Sequence, residues 1–258
     1  MQNTIIKAML FIVSILVSCE GKSPKDYDTL ELSTNDIDSA SDDMEETKDI
    51  TTRRYDADDE RIQYTGRIDF TDPQKPRFSA AATYIKIRFR GIGLSIIMKD
   101  EIRYNERQNF MDVLIDNREP FVIEPDMSML QTNYPVDVDL EYGEHEVTVV
   151  KRTQAENGQV MFLGFEIQGE LLDPLPRREK RIQIIGDSIS AGEGTDVEKS
   201  SDCTNNWIKN IRYQNARLGF GPVLAERLDA EYHVIAWSGK GLYQNNTDKY
   251  DARLMPEL

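Results

Sequence analysis

The residues best suited to chemistry in this 258-residue chain lie in one run, Ile185-Gly186-Asp187-Ser188-Ile189-Ser190. A serine hydroxyl is a weak nucleophile. It gains most at the carboxyl end of a parallel strand, where a following helix begins and backbone N–H groups point at the space an oxyanion would occupy. Arg181 to Ile185 reads as such a buried strand, Gly186 allows the turn, the small residues that follow let a carbonyl group approach, and Asp187 can accept backbone N–H bonds and fix the loop. A helical stretch follows at Phe220 to Leu228, with Val223, Leu224 and Leu228 on one face. Next comes a second strand, Tyr232-His233-Val234-Ile235-Ala236-Trp237, ending in Ser238-Gly239-Lys240-Gly241. Strand, helix, strand, with each strand closing on a glycine-rich loop, is the start of a parallel α/β sheet with its site at the carboxyl ends.

Few other groups compete for a chemical role. His145 lies at the start of a strand, and His233 sits inside the second strand, committed to a sheet face rather than to the loop end. These two histidines leave little for a His-rich metal site. Asp36, Asp38, Asp42 and Asp43 lack the glycine and closing Glu of a calcium loop. No metal and no cofactor are expected.

The elements ahead of the serine run are β. From Ile62 to Gln168 short alternating runs are separated by turn signals. Ile85, Ile87 and Phe89 alternate with Lys86, Arg88 and Arg90; Gly91 and Gly93 punctuate; Leu94, Ile96 and Met98 resume the period of two, which marks half-buried strands. Further runs are Phe110 to Ile115, Val136 to Leu140, Glu146 to Lys151 and Val160 to Ile167, with turns at Asp116-Asn117, Tyr142-Gly143 and Asn157-Gly158. Asn157-Gly158 between two apolar runs predicts a type I′ hairpin. The expected fold class is β plus α/β: a jelly-roll β-sandwich over 61–171, a Pro-rich connector at 172–180, and the first part of a parallel-sheet domain over 181–258.

The N-terminus is an address. Lys7 precedes the apolar run Ala8 to Val17, too short to span a bilayer and shaped like a secretory signal. Leu16-Val17-Ser18-Cys19 resembles the lipobox of bacterial lipoproteins, which implies lipidation of Cys19, a signal over 1–19, and anchoring to the periplasmic or outer face of the bacterial cell envelope. Cys203 is then left as a free thiol or paired to another molecule. Residues 20–60 carry 15 acidic and 5 basic side chains, net -10 of the chain's -15, and read as a disordered, self-repelling tether. The overall acidity excludes a sequence-general nucleic-acid binder.

The serine run resembles the first motif block of the SGNH/GDSL hydrolases. From Tyr64 onward the chain is similar to the carbohydrate esterase family 2 deacetylases, which place a jelly-roll domain before an SGNH domain. The resemblance rests on Tyr64-Thr65-Gly66-Arg67 with Asp69-Phe70, Gly143-Glu144-His145-Glu146-Val147 with Lys151-Arg152-Thr153, Phe162-Leu163-Gly164-Phe165, Ala236-Trp237-Ser238-Gly239-Lys240-Gly241-Leu242 and Met255-Pro256-Glu257-Leu258. It implies that Ser188 is the nucleophile of an acetyl ester hydrolase acting on xylan- or glucomannan-type polysaccharides. It further implies that Gly241, or otherwise Gly239, offers its N–H to the oxyanion beside that of Ser188. Trp207, Tyr213, Trp237 and Tyr243 near the site loops suit stacking on a sugar ring or ordinary packing. The family also uses an Asn from a third block and a His near the C-terminus; neither block occurs here, so the 258-residue chain is expected to be C-terminally incomplete and to turn over little ester. The alternative reading is a carbohydrate-binding or degenerate lipoprotein in which only the β-domain is competent.

Overall fold

The computed structural model describes residues 50–102, 108–126, 128, 130–136, 138–197, 211–246 and 254. Cys19, most of the acidic stretch, Cys203, Trp207 and Met255–Leu258 lie outside the described residues. The architecture is mostly β. Nine strands form one sheet system: β1 (Thr52–Asp56), β2 (Gln63–Thr65), β3 (Arg77–Phe78), β4 (Tyr84–Ile102), β5 (Met111–Ile115), β6 (Phe121–Ile123), β7 (Thr132–Pro135), β8 (Gly143–Lys151) and β9 (Gly158–Leu172). The main path runs β1-β9-β4-β8-β5-β6, with β2 and β7 also on β4 and β3 on β9. All of these pairings are antiparallel.

The predicted alternation holds along β4, where Ile85, Ile87 and Phe89 are buried and Lys86, Arg88 and Arg90 are partly exposed. They join Ile96, Met98, Val113, Val149, Phe162, Phe165 and Ile167 in one core. Gly91 and Gly93, read as punctuation between two strands, instead lie inside one 19-residue strand at a register shift. A Cβ at Gly91 would stand 2.1 Å from the Gln168 carbonyl, and one at the facing Gly169 would stand 2.0 Å from the Arg90 carbonyl. The glycines therefore serve close approach of two backbones, not a turn. Here β4 leaves β8, its partner up to Gly91, and meets β7 from Ser95.

Three further expectations are corrected. The run Val136 to Leu140 is not a strand; the strand is Thr132–Pro135, while Val136 and Leu140 still bury in the core. Asn157-Gly158 is not a hairpin, because β8 and β9 are separate neighbours of β4 and do not pair with each other. The segment between them crosses from the Tyr84 end of β4, where β8 finishes, to its Ile102 end, where β9 begins, and it holds a 3-10 turn, Ala155–Asn157, with the buried polar residues Arg152, Thr153, Gln154 and Asn157. Finally, β1 falls inside the stretch read as tether. Four of its five residues are exposed, which gives it a hydrophilic look, yet it pairs with β9 along its whole length and the Tyr55 hydroxyl receives the Leu171 N–H at 3.1 Å.

After the connector the chain forms β10 (Lys180–Gly186), α1 (Phe220–Arg227) and β11 (Ala230–Ala236), with β10 and β11 parallel and in register from Lys180↔Ala230 to Gly186↔Ala236. The helix is where the sequence places it, but it buries Gly221, Pro222 and Ala225 and leaves Leu224 and Leu228 exposed. Gly221 is the reason: a Cβ there would sit 2.6 Å from Ile184 of β10, so the helix approaches on its small-residue face. Ala81 and Ala82, just before β4, pack with Ile184, Ala191, Ala216, Val234 and Ala236, which joins the two sheets through small side chains.

The crossing segment is pinned by Lys151, fully buried, whose Nζ donates to the Thr153 carbonyl, the Thr153 hydroxyl and the Gln154 carbonyl at 2.8 to 3.1 Å. Burial pushes its pKa down to about 7, with Asp100 pulling the other way. An unfolded lysine keeps its proton to about pH 10.4, so between about pH 7 and that value the unfolded chain binds more protons and stability rises with pH. Urea unfolding at about pH 7 and about pH 9.5 is therefore expected to show greater stability at the higher pH, with the gain reduced in Lys151→Met; a flat profile in the wild type counts against it.

Candidate active site

The parallel register sets the geometry. Because Gly186 is paired with Ala236, the chains that leave β10 and β11 emerge side by side at the carboxyl edge, and the Trp237 N–H bonds to the Gly186 carbonyl at 3.2 Å. Asp187-Ser188 follows one strand and Ser238-Gly239-Lys240-Gly241 follows the other.

The serine loop is a tight turn. Asp187 accepts the Ile189 N–H at 3.2 Å through Oδ1 and the Ala191 N–H at 3.0 Å through its carbonyl, and the Ser188 carbonyl accepts the Glu193 N–H at 2.9 Å. Ser188 is half-buried. Gly186 stands where a Cβ would lie 2.1 Å from Ser190 Oγ and 2.8 Å from Ser190 Cβ, and Ser190 is buried beneath the turn.

The glycine loop is tied to itself. Gly239 has φ +73, and its carbonyl accepts the Asn246 N–H at 2.8 Å. The Gly241 N–H donates to Asn245 Oδ1 at 3.1 Å, so of the two glycines named from the sequence, Gly241 has its amide engaged within its own loop. Trp237 is half-buried with Lys240 Nζ 5.9 Å from its ring centre, and Tyr243 is 91% exposed. Tyr213 is half-buried at the end of a 3-10 turn.

Neither described histidine reaches these loops as a base. His145 Nδ1 lies 2.8 Å from Asp116 Oδ2 and its Nε2 lies 3.0 Å from the Glu141 carbonyl, with the ring against Phe89. It closes the β5–β6 and β8 ends, as expected for a strand-end residue. His233 sits inside β11 opposite Gln183, and desolvation together with Arg67 lowers its pKa. A cavity of about 590 Å³ lies away from the serine loop, between the outer face of β4 and β8 and the α1 side of β11, bordered by Lys86, Glu146, Arg217, Glu226 and Tyr232. Among the described residues no group of three His, Cys, Asp or Glu side chains is placed to hold a metal.

Sequence reasoning missed the polar residues behind the loops. Asp112 of β5, 1% exposed, accepts Arg152 Nη1 at 3.1 Å, Asn215 Nδ2 at 3.0 Å and Arg217 Nε at 2.8 Å. Arg152 Nη2 also meets the Asp196 carboxylate, and the Arg152 carbonyl accepts the Ala216 N–H at 2.9 Å. Gln214 Oε1 accepts the Gln154 N–H at 3.1 Å and Asn157 Nδ2 at 3.0 Å. The available signal was four consecutive polar residues, Lys151-Arg152-Thr153-Gln154, directly after an apolar strand, where a two-residue hairpin leaves no room for them.

Residues 64–176 match the family described as carbohydrate esterase 2 N-terminal. The chain is 32% identical over 196 residues to the cellulase/esterase CelE of Acetivibrio thermocellus, covering 74% of this chain and 22% of that protein. It is 29% identical over 217 residues to an acetylxylan esterase / glucomannan deacetylase of Cellvibrio japonicus, covering 81% and 55% respectively. The solved structure of a family two carbohydrate esterase from Cellvibrio japonicus superposes with a TM-score of 0.67 at 26% identity, covering 78% of this chain and 58% of that one. The chain thus spans about half the length of the Cellvibrio enzymes and less than a quarter of the Acetivibrio protein.

The Gly186 contact gives a direct check on the turn. Gly186→Ala is expected to lose about 1–3 kcal/mol, because Ser190 is buried and its Cβ cannot yield without moving the backbone. Denaturant unfolding measures it; a loss below about 0.5 kcal/mol, the range of a neutral surface change, shows that the turn relaxes freely.

Proposed function

We propose that this chain, a relative of the family two carbohydrate esterases that carries their N-terminal domain at residues 64–176, removes acetyl groups from polysaccharides of the xylan or glucomannan type. The observation that carries the reading is the in-register end of β10 and β11, which delivers Ser188 and the glycine-rich loop 238–241 to one edge. Ser188 gives its proton to a general base and attacks the acetyl carbonyl, backbone N–H groups of Ser188 and of Gly239 or Gly241 stabilise the oxyanion, the sugar leaves as its hydroxyl with that proton, and water hydrolyses the acetyl-serine to acetate and free Ser188. Asp187 keeps the turn in shape through its two accepted N–H bonds. Neither His145 nor His233 is placed to act as the base, since their positions serve the strand end and the sheet face. No metal or cofactor enters this chemistry.

In the same reading the nine-stranded part is a jelly-roll sandwich, and β10, α1 and β11 begin an SGNH-type α/β sheet. The acetylated polysaccharide is the partner of the site loops. Cys19 carries a lipid that anchors the protein in the bacterial cell envelope, and the acidic residues that precede β1 hold it away from the membrane.

Acetate release from acetylated xylan and acetylated glucomannan by the full-length protein tests the reading. Activity is expected on at least one of them, and Ser188→Ala is expected to lower kcat by about 10⁴-fold or more while the fold is retained. Turnover that survives Ser188→Ala refutes the assignment of the nucleophile.

A further inference from the structure

We propose that Gln154, supplied by the β-rich part, is a positioning residue that clamps the Ser188 loop and the 238–241 loop to each other; the proposal deepens the esterase reading and rests on it. Gln154 is completely buried. Its side-chain oxygen accepts both the Ser238 N–H at 3.1 Å and the Ser238 hydroxyl at 2.5 Å. Its side-chain nitrogen donates to the Glu193 carboxylate. Glu193 in turn is bonded through its own N–H to the Ser188 carbonyl at 2.9 Å, and Ser238 directly precedes Gly239.

One planar amide therefore touches both loops with opposite polarity. The orientation is forced, because the Ser238 N–H can only donate and an ionised Glu193 can only accept. The main chain of Gln154 is equally constrained: its N–H goes to Gln214 Oε1 at 3.1 Å, and its carbonyl receives Lys151 Nζ and the Asn157 N–H. Gln214 Nε2 also donates to Glu193 Oε2 at 3.0 Å, so one carboxylate oxygen receives both amides, and desolvation there raises the Glu193 pKa. Ser188 and the glycine N–H groups must keep a fixed separation for both to act on one acetyl carbonyl, and a displacement of about 1 Å can lower a rate by about 10²-fold. Gln154 thus bonds to both loops. It also sequesters the Ser238 N–H as Asn245 Oδ1 engages that of Gly241, which leaves Gly239 as the glycine amide of that loop to consider for the oxyanion.

The test uses the full-length protein with single substitutions. Gln154→Glu keeps the acceptor toward Ser238 but sets a carboxylate against Glu193. This substitution is expected to lower kcat about tenfold or more with KM changed less than about twofold. Unchanged kcat in a folded Gln154→Glu protein overturns the proposal. A second measurement does not depend on activity. Amide hydrogen exchange at Ser238–Gly241 and Ile189–Glu193 is expected to quicken about tenfold in Gln154→Leu, while exchange in α1 and in the interior of β9 stays as in the wild type. Exchange that is unaltered at both loops, or that rises uniformly through the chain, overturns it. If the wild type releases no acetate, the esterase reading fails on that assay while the exchange result still decides whether Gln154 couples the loops.

Discussion

A carboxylate with no access to water must be fully satisfied, and Asp112 meets that condition only because two parts of the chain converge on it. Its oxygens receive Arg152 from the segment after β8 and Asn215 and Arg217 from the segment before α1. Removing one partner of such a buried group costs about 3–5 kcal/mol, far more than the net worth of the pair, since the remaining charge stays desolvated. The interaction therefore acts less as a source of stability than as a constraint on geometry. The β-rich part and the β10–α1–β11 part dock in the arrangement that satisfies Asp112, and Ala81 and Ala82 present surfaces small enough to let it happen.

From that constraint the crossing segment 151–157 inherits its character. It lies where the hairpin signal suggested a solvent-facing turn, yet Lys151, Thr153, Gln154 and Asn157 are all buried. Polar residues are tolerated there because each finds a partner: Lys151 with three oxygens, Thr153 with Asn109, Gln154 with both site loops. Among the described residues of this network, Asn157 Oδ1 and Asn215 Oδ1 are left without a hydrogen-bond partner; the bonds that are made still favour one arrangement, whereas an apolar seam of the same area would permit sliding. The two loops at the carboxyl edge are held by this network as well as by the bond from the Trp237 N–H to the Gly186 carbonyl.

The sequence made legible whatever depends on local period and local turn chemistry. Alternation in Ile85, Ile87 and Phe89, the helix at 220, the parallel strands on either side of it and the Asp116 turn, with its φ of +51, all follow from side chains within a few residues of one another. The readings that failed involve distant partners. Asn157-Gly158 has the composition of a hairpin, but which strand lies beside β9 is decided by β4, a strand some sixty residues earlier. Gly91 and Gly93 look like breaks until the facing Gln168 and Gly169 are known. Leu224 and Leu228 look like the inner face of α1, yet the helix docks on Gly221, because Ile184 occupies the space a larger residue would need. The serine run was readable in part for the opposite reason: Gly186 is required by Ser190, four residues on, whereas Gly192 makes room for the backbone of Asn215 and Ala216.

This difference also separates the groups that perform chemistry from those that place them. Ser188 and the 238–241 loop announce themselves by composition, since a nucleophile on a tight turn and a chain that offers its amides both need glycine nearby. Gln154, Glu193 and Gln214 carry no such mark. They are ordinary polar residues whose importance lies in burial and in the identity of partners 21 to 84 positions away. A site built at the junction of two sheets needs residues of this kind, because the loops that leave β10 and β11 share an edge but not a rigid element. An amide reaching in from the neighbouring β-rich part supplies the missing rigidity, and it does so with a donor and an acceptor whose order along one plane fixes which loop lies on which side.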